Sequence, residues 1–325
     1  MTIDQLFKDL QSDLQEVEAE IERQLQSEVD LITEIGRYIC KSGGKRLRPA
    51  LLLLSSELSK YYGKRKYILG SVVEFIHTAT LLHDDVIDRA ELRRGKLSAN
   101  FVWGNTLPIL VGDFLYSKSM LIAVNDGDMD IMRIIADLTM RMTEGEVLES
   151  IKSKNLETQR ADYLKIIQLK TAYLFSACCQ MGAILGKATK QKELALKNYG
   201  LCLGIAFQIT DDTLDFIAPV EKFGKILGTD LKEGKVTLPL IILLEKATRK
   251  ERALLEQIIQ ASEGLNSSDF KSVLGLIEKY NAIELSLREA RDYASAARTY
   301  LEEFEDCTAK QRLLELTYSV LSRDK

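Results

Sequence analysis

Apolar residues recur at steps of three or four from the start of the chain. Ile3, Leu6, Phe7, Leu10, Leu14, Val17, Ile21 and Leu25 fall on one side of a helical wheel, which predicts an amphipathic helix. Similar periodicity runs through 66–89, 114–124, 130–153, 163–185, 193–216, 238–245, 250–261 and 269–305. No train of alternating strands follows Tyr116, and no repeat, low-complexity tract or Gly/Ser linker marks a domain boundary. Proline supports the same reading. The 325 residues hold 4, at Pro49, Pro108, Pro219 and Pro239, and none falls within 109–218. Sandwiches and barrels punctuate themselves far more often. The expectation is an all-α fold, a single large helical bundle over 1–325 with its chemistry between facing helices.

Composition narrows the partners. Lys and Arg total 44 against 48 Asp and Glu, a net charge of -4. A surface that tracks nucleic-acid phosphates needs a cationic excess, so nucleic acid is not an expected partner. With 46% hydrophobic and 28% charged residues the chain reads as a globular protein with a sizeable core. Cys40, Cys178, Cys179, Cys202 and Cys307 form no CxxC pair and no set with histidine. Buried thiols in a reducing compartment fit them better than zinc or disulfides. Residues 1–28 are polar and acidic, unlike a signal peptide. The uninterrupted apolar stretches, over 50–54 and 238–244, are too short to span a bilayer. A cytoplasmic protein without stable membrane insertion is expected.

The candidate chemistry lies in two aspartate clusters, each near a basic loop. Asp84-Asp85-Val86-Ile87-Asp88 follows Thr80-Leu81-Leu82-His83, and Asp211-Asp212-Thr213-Leu214-Asp215 follows Phe207-Gln208-Ile209-Thr210. On a helix, positions i, i+1 and i+4 bring three carboxylates within about one turn. Such crowding is costly without cations. All-oxygen donors that leave room for water and phosphate suit Mg²⁺. An acidic cluster is usually just a solvated face. Against that, both motifs lie in strongly apolar helices. Random placement of the chain's 21 aspartates gives about 0.1 copies of D-D-x-x-D, whereas two are present.

Other acidic and basic groups read differently. Asp126-Gly127-Asp128-Met129-Asp130 resembles the start of a calcium loop, but Ile131 stands where that loop needs glycine. A polar turn capping the next helix fits it better. Glu74-x-x-His77 is half of a di-iron motif with no second half, because His83 has Thr80 three residues before it. The basic loops are 41–49, 89–100 and 219–237. Taken alone, Lys225 and Lys235 read equally as solvated charges, His77 as a core histidine, and Arg93-Arg94 as local charge compensation.

In their order along the chain these residues resemble the trans-isoprenyl diphosphate synthases, or polyprenyl synthetases. Gly43-Gly44-Lys45-Arg46-Leu47-Arg48-Pro49, the first aspartate motif with Arg93-Arg94-Gly95, Phe207-Gln208 leading into the second, and the lysine-rich loop all appear in family order. The resemblance implies the isoprenoid synthase fold, with both aspartate motifs facing a deep central cavity, and a Mg²⁺-dependent prenyl transfer. Asp84, Asp85, Asp88 and Asp211 would bind metal, and Asp212 and Asp215 would act through metal-bound water. Arg93, Lys170, Lys225 and Lys235 would hold the allylic diphosphate. Lys45, Arg48, His77 and Arg94 would hold isopentenyl diphosphate. Thr171 and Gln208 would offer oxygen dipoles to the developing carbocation. A homodimer is also a family expectation.

Product length is expected to depend on what lies one turn before Asp84. Ala79 and Thr80 stand about 6–7.5 Å back along the helix axis. Short-chain members of the family commonly place an aromatic residue there, so small side chains imply a long product near eight isoprene units, suited to a quinone tail. They also fit a tight helix contact. The first motif has two residues between its acidic ends, unlike the four of many bacterial farnesyl synthases. Bulky residues on 130–142, such as Met132 or Ile135, would set the floor. Three alternatives compete. A short-chain farnesyl or geranylgeranyl synthase shares every motif. A class I terpene cyclase normally pairs one aspartate motif with an Asn/Ser/Glu motif. A non-catalytic subunit of a heteromeric synthase tends to lose metal ligands, and all are present here.

Overall fold

Leu10, Val17, Ile21 and Leu25, four of the periodic apolar positions that open the sequence, are buried along and beside helix α1 (Gln11–Gln24). The computed structural model describes residues 7–217, 228–260 and 266–322. Helices dominate, and the one sheet among the described residues is a two-stranded ladder. The chain packs into two compact units. The first comprises Met1–Met140, Leu174–Gly200 and Tyr300–Leu316; the second comprises Arg141–Tyr173, Leu201–Thr299 and Thr317–Lys325.

In the first unit, α2 (Asp30–Cys40) leads through a loop to α3 (Leu47–Leu58) and then α4 (Arg65–Ile87), which carries the first aspartate motif. Leu51 to Leu54 on α3 and Val72, Val73, Phe75 and Ile76 on α4 are all buried, so these helices show no single apolar stripe but sit inside the core. The segment 89–100, which carries no helical period, forms a hairpin: β1 (Leu92–Arg93) pairs with β2 (Lys96–Leu97), Arg93 opposite Lys96. Arg94 and Gly95 turn it with φ of +53° and +76°, both left-handed, as tight hairpin turns require. Next come α5 (Ala99–Trp103) and α6 (Thr106–Asp126). His83 on α4 donates from Nε2 to the carbonyl of Ile109 on α6 at 3.1 Å. It serves that contact. By length and composition, α6 is apolar enough to cross a membrane, longer than the apolar runs visible in the sequence because Asp113 and Lys118 interrupt them.

The second unit is built around α12 (Leu238–Lys246). Its residues from Leu238 to Leu244 are buried on every side, among Ile205, Ile209, Leu255, Ile277 and Ala282. Each such side chain contributes about 1.5–3 kcal/mol on leaving water. Pro239 occupies its first turn, where a missing N–H costs nothing. Helix α7 (Met129–Lys152) is followed by α8 (Arg160–Ile167), one π-turn (Gln168–Ala172), α9 (Tyr173–Leu185) and α10 (Lys190–Leu214), which carries the second motif. After the short α11 (Thr229–Lys232) and α12 come α13 (Arg249–Gln260), α14 (Ser267–Lys279) and α15 (Ala282–Tyr300). The period over 269–305 thus breaks at Tyr280–Asn281, where Asn281 takes a φ of +53°. The last helix is α16 (Thr308–Leu321).

Candidate active site

In the first unit the first aspartate motif ends α4, and Asp85 is its buried member at 0% exposure. Arg93 on the hairpin donates to Asp85 Oδ1 from Nε at 2.7 Å and also from Nη2. Asp85 Oδ2 is buried with no hydrogen-bond partner. Burial pushes the Asp85 carboxyl above its ordinary range, against the opposing pull of Arg93. Asp84 and Asp88 are half-buried beside it. A buried carboxylate oxygen without a donor is expensive, and a divalent cation would offset that cost. Among the described residues no three His, Cys, Asp or Glu side chains form a closed metal cage. Mg²⁺ does not require one, because it keeps several waters and shares its shell with phosphate oxygens.

A cationic cluster surrounds this motif. Gly43 and Gly44 take φ of +96° and +135°, and the Arg94 guanidinium lies so close over Gly44 that an added Cβ would stand 2.8 Å from Nη1. Arg48 stacks over the ring of Phe175, 5.5 Å from its centroid. His77, one helix turn below Leu81, is pushed well below its ordinary range by burial and then by Arg48, Arg94, Arg93 and Arg46. It is therefore a neutral imidazole among arginines. Arg46 is spoken for: it donates to Glu18 at 2.5 Å, to Glu74 at 2.6 Å and to the carbonyl of Cys40 at 2.7 Å. That triad pins the loop holding Lys45, which is exposed, and Arg48. It also takes Glu74 out of any metal site with His77. Ala79 is fully buried, whereas Thr80 keeps some exposure and donates its hydroxyl to the carbonyl of His77 at 2.7 Å.

In the second unit, Asp212 is buried, and burial pushes its carboxyl up to about 7, against hydrogen bonds from Tyr163 and Gln208 and with the charges of Asp211 and Glu149 adding to the push. Asp211 is half-buried beside it. Asp215 accepts from the backbone N–H groups of Thr229 at 3.3 Å and Asp230 at 3.0 Å, so it also fastens the return from the lysine-rich loop. The π-turn presents Lys170 and Thr171. Lys170 Nζ sits between Glu146 Oε2 at 2.7 Å and Glu149 Oε2 at 2.5 Å. Thr171 donates to Gln208 Oε1 at 2.7 Å. Lys235 pairs with Glu233 at 2.7 Å. Lys225 lies outside the described residues.

The sequence did not point to Tyr163, Glu146 or Glu149. The only local signal was two glutamates three residues apart on α7, one helical turn of the same face.

The polyprenyl synthetase family model matches residues 29–277. The chain belongs to the polyprenyl synthetase family. It is 36% identical over 324 residues to the octaprenyl diphosphate synthase of Haemophilus influenzae, covering 100% of this chain and 98% of that protein. It is 34% identical over 325 residues to that of Escherichia coli, covering 100% of both. Among solved structures it is similar to a polyprenyl synthase from Caulobacter crescentus complexed with calcium and isoprenyl diphosphate, with a TM-score of 0.95, 37% identity and coverage of 100% and 98%. It is also similar to a decaprenyl diphosphate synthase from Rhodobacter capsulatus, with a TM-score of 0.94, 38% identity and coverage of 99% of each chain. The all-α fold and the prenyltransferase class expected from the motifs are those of this polyprenyl synthetase.

Proposed function

We propose that this polyprenyl synthetase condenses isopentenyl diphosphate with an allylic diphosphate such as farnesyl diphosphate, giving an all-trans long-chain product near eight isoprene units for a quinone side chain. The observation that carries the reading is the buried, donorless Asp85 oxygen beside Arg93 and Arg94. A buried carboxylate oxygen without a donor, close to guanidinium groups of the kind that recognise phosphate oxygens, suits a magnesium diphosphate. Asp84, Asp85, Asp88 and Asp211 would hold Mg²⁺, with Asp212 and Asp215 acting on its water shell. When bound, Mg²⁺ neutralises charge on the departing diphosphate.

The chain's own residues do the rest. Arg93, Lys170, Lys225 and Lys235 hold the allylic diphosphate where charge develops. Lys45, Arg48, Arg94 and neutral His77 hold isopentenyl diphosphate. Cleavage of the allylic C–O bond leaves a cation that the oxygen of Thr171 steadies, and apolar walls exclude water. The double bond of isopentenyl diphosphate attacks this cation. The C–H proton then lost goes to a diphosphate oxygen, which removes the need for a side-chain base.

The chain works as one catalytic domain in the cytoplasm and as a homodimer. The exposed Leu110, Leu121 and Val124 of α6 support pairing with a second copy. The test is incubation of the purified chain with Mg²⁺, farnesyl diphosphate and labelled isopentenyl diphosphate, followed by mass spectrometry. A C40-centred product is expected. A dominant C15 or C20 product overturns the chain-length assignment, and diphosphate release without isopentenyl diphosphate would favour a cyclase.

A further inference from the structure

Tyr163, Asp212, Gln208 and Thr171 form one hydrogen-bonded chain in the second unit. Tyr163 Oη donates to Asp212 Oδ2 at 2.6 Å, Gln208 Nε2 donates to Asp212 Oδ1 at 2.7 Å, and Thr171 Oγ1 donates to Gln208 Oε1 at 2.7 Å. Gln208 turns its NH₂ towards Asp212 and its amide oxygen towards Thr171. That oxygen only accepts, so it takes the single hydroxyl proton of Thr171. What Thr171 Oγ1 has left are lone pairs.

A carbocation is stabilised by the negative end of a dipole and repelled by the positive end. A free threonine hydroxyl rotates, and part of the time it would aim its proton at the cation. Here the proton is committed. The anchor of the arrangement is Tyr163, which is 3% exposed and whose hydroxyl finds Asp212 as its acceptor. A buried core position could be filled as well by phenylalanine, with no hydroxyl to desolvate. The tyrosine hydroxyl holds one oxygen of Asp212 while Gln208 holds the other, and such buried networks act as units.

We propose that Tyr163 is a positioning residue for prenyl transfer: through Asp212 and Gln208 it orients the Thr171 hydroxyl with its lone pairs free for the allylic cation. The inference rests on the prenyl-transfer reading above. Each Asp212 oxygen retains a lone pair, so the role is compatible with a metal-bound water as well.

The test is a double-mutant cycle on the whole chain. Tyr163→Phe keeps the ring and removes only the hydroxyl. It should lower kcat about tenfold, the scale of one hydrogen bond to a charged group. The KM values for both diphosphates and the half-saturating Mg²⁺ concentration should stay within about twofold, as for an interaction made only in the transition state. Thr171→Val should cost about 100-fold in kcat. The double variant should be no slower than Thr171→Val alone, because the tyrosine acts through that hydroxyl. Gln208→Leu, which breaks the chain midway, should likewise abolish any further effect of Tyr163→Phe, and thermal unfolding checks that each variant is folded. Losses that multiply in full overturn the inference. So does a Tyr163→Phe defect that saturating Mg²⁺ repairs, which would make the tyrosine a servant of the metal ligand alone. A wild-type chain that forms no polyprenyl diphosphate sinks the underlying reading instead.

Discussion

Gly145 on α7 lies directly against the backbone nitrogen of Lys170: a Cβ added there would stand 2.8 Å from that nitrogen and 2.9 Å from the Cβ of Leu169. The π-turn is therefore pressed onto α7 at a point where only hydrogen fits. The same turn sets Lys170 between Glu146 and Glu149, and π-turns recur at functional sites because they re-aim side chains. Gly145→Ala gains up to about 1 kcal/mol of helix propensity but must displace backbone, which costs about 1–3 kcal/mol. The expected result is a lower melting temperature together with a loss of turnover. Gly275, mid-way along α14, meets nothing within 4 Å. Gly275→Ala should raise stability by about 0.4–1 kcal/mol with turnover unchanged. If both variants behave alike, the close contact at Gly145 has no bearing on Lys170.

The metal reading makes a separate demand. Asp85→Ala removes the oxygen that lacks a donor and releases Arg93, whereas Asp84→Ala and Asp211→Ala remove half-buried carboxylates. Each should lower turnover by about 100-fold or more. Calorimetric titration of Mg²⁺ in the presence of inorganic pyrophosphate gives a second readout, in which each variant should bind fewer ions or bind them more weakly. Asp215→Ala should differ, because Asp215 also fastens Thr229 and Asp230. Proteolysis of the return from the lysine-rich loop should accelerate in that variant alone. Unchanged Mg²⁺ titrations across the set would remove the metal role.

These parts of the site were unequally visible in the sequence. The aspartate motifs and the long helices were legible because their signal is local: a spacing of one helical turn, or apolar residues at steps of three and four. The hairpin was not, since two paired residues on each side leave no alternation to detect. The π-turn was not either, because the shift of one backbone hydrogen bond leaves no compositional trace. Tyr163 and Glu149 were invisible for another reason. Their partners Asp212 and Lys170 lie 49 and 21 residues away, and nothing in a single sequence pairs residues at such distances. The break at Asn281 was not legible because apolar residues continue at short steps on both sides of it, with no proline or glycine at the break.

His77 gives a pH prediction. Burial and the nearby arginines hold its folded pKa well below the ordinary value of 6.5. The unfolded chain therefore takes up a proton as pH falls through about 6.5, while the folded protein does not. The contribution of neutral His77 to stability is fully present above that pH and is lost as pH falls below it. Wild-type stability should therefore fall between pH 7.5 and pH 5.5. His77→Gln abolishes this dependence, so denaturant unfolding should show the variant gaining on the wild type between the two pH values. An equal stability difference at both would mean that His77 titrates alike in the folded and unfolded chains.

Thr80 and Ala79, the two residues assigned to chain length, differ in exposure. Thr80 retains exposed surface, whereas Ala79 has none, at 0%. A growing apolar chain can lie only against exposed surface, so Thr80 is the position at which an aromatic plug would meet it. Thr80→Phe should shift the product distribution to shorter chains while the first condensation keeps its rate. Ala79→Tyr must instead force a ring into a packed position, and overpacking typically costs about 1–3 kcal/mol. It should lower the melting temperature, and any shortening should be smaller than in Thr80→Phe. Mass spectrometry of the products and thermal unfolding of both variants decide between them. Shorter products from Ala79→Tyr at unchanged stability, with no shift from Thr80→Phe, would place the path of the chain on the other side of α4.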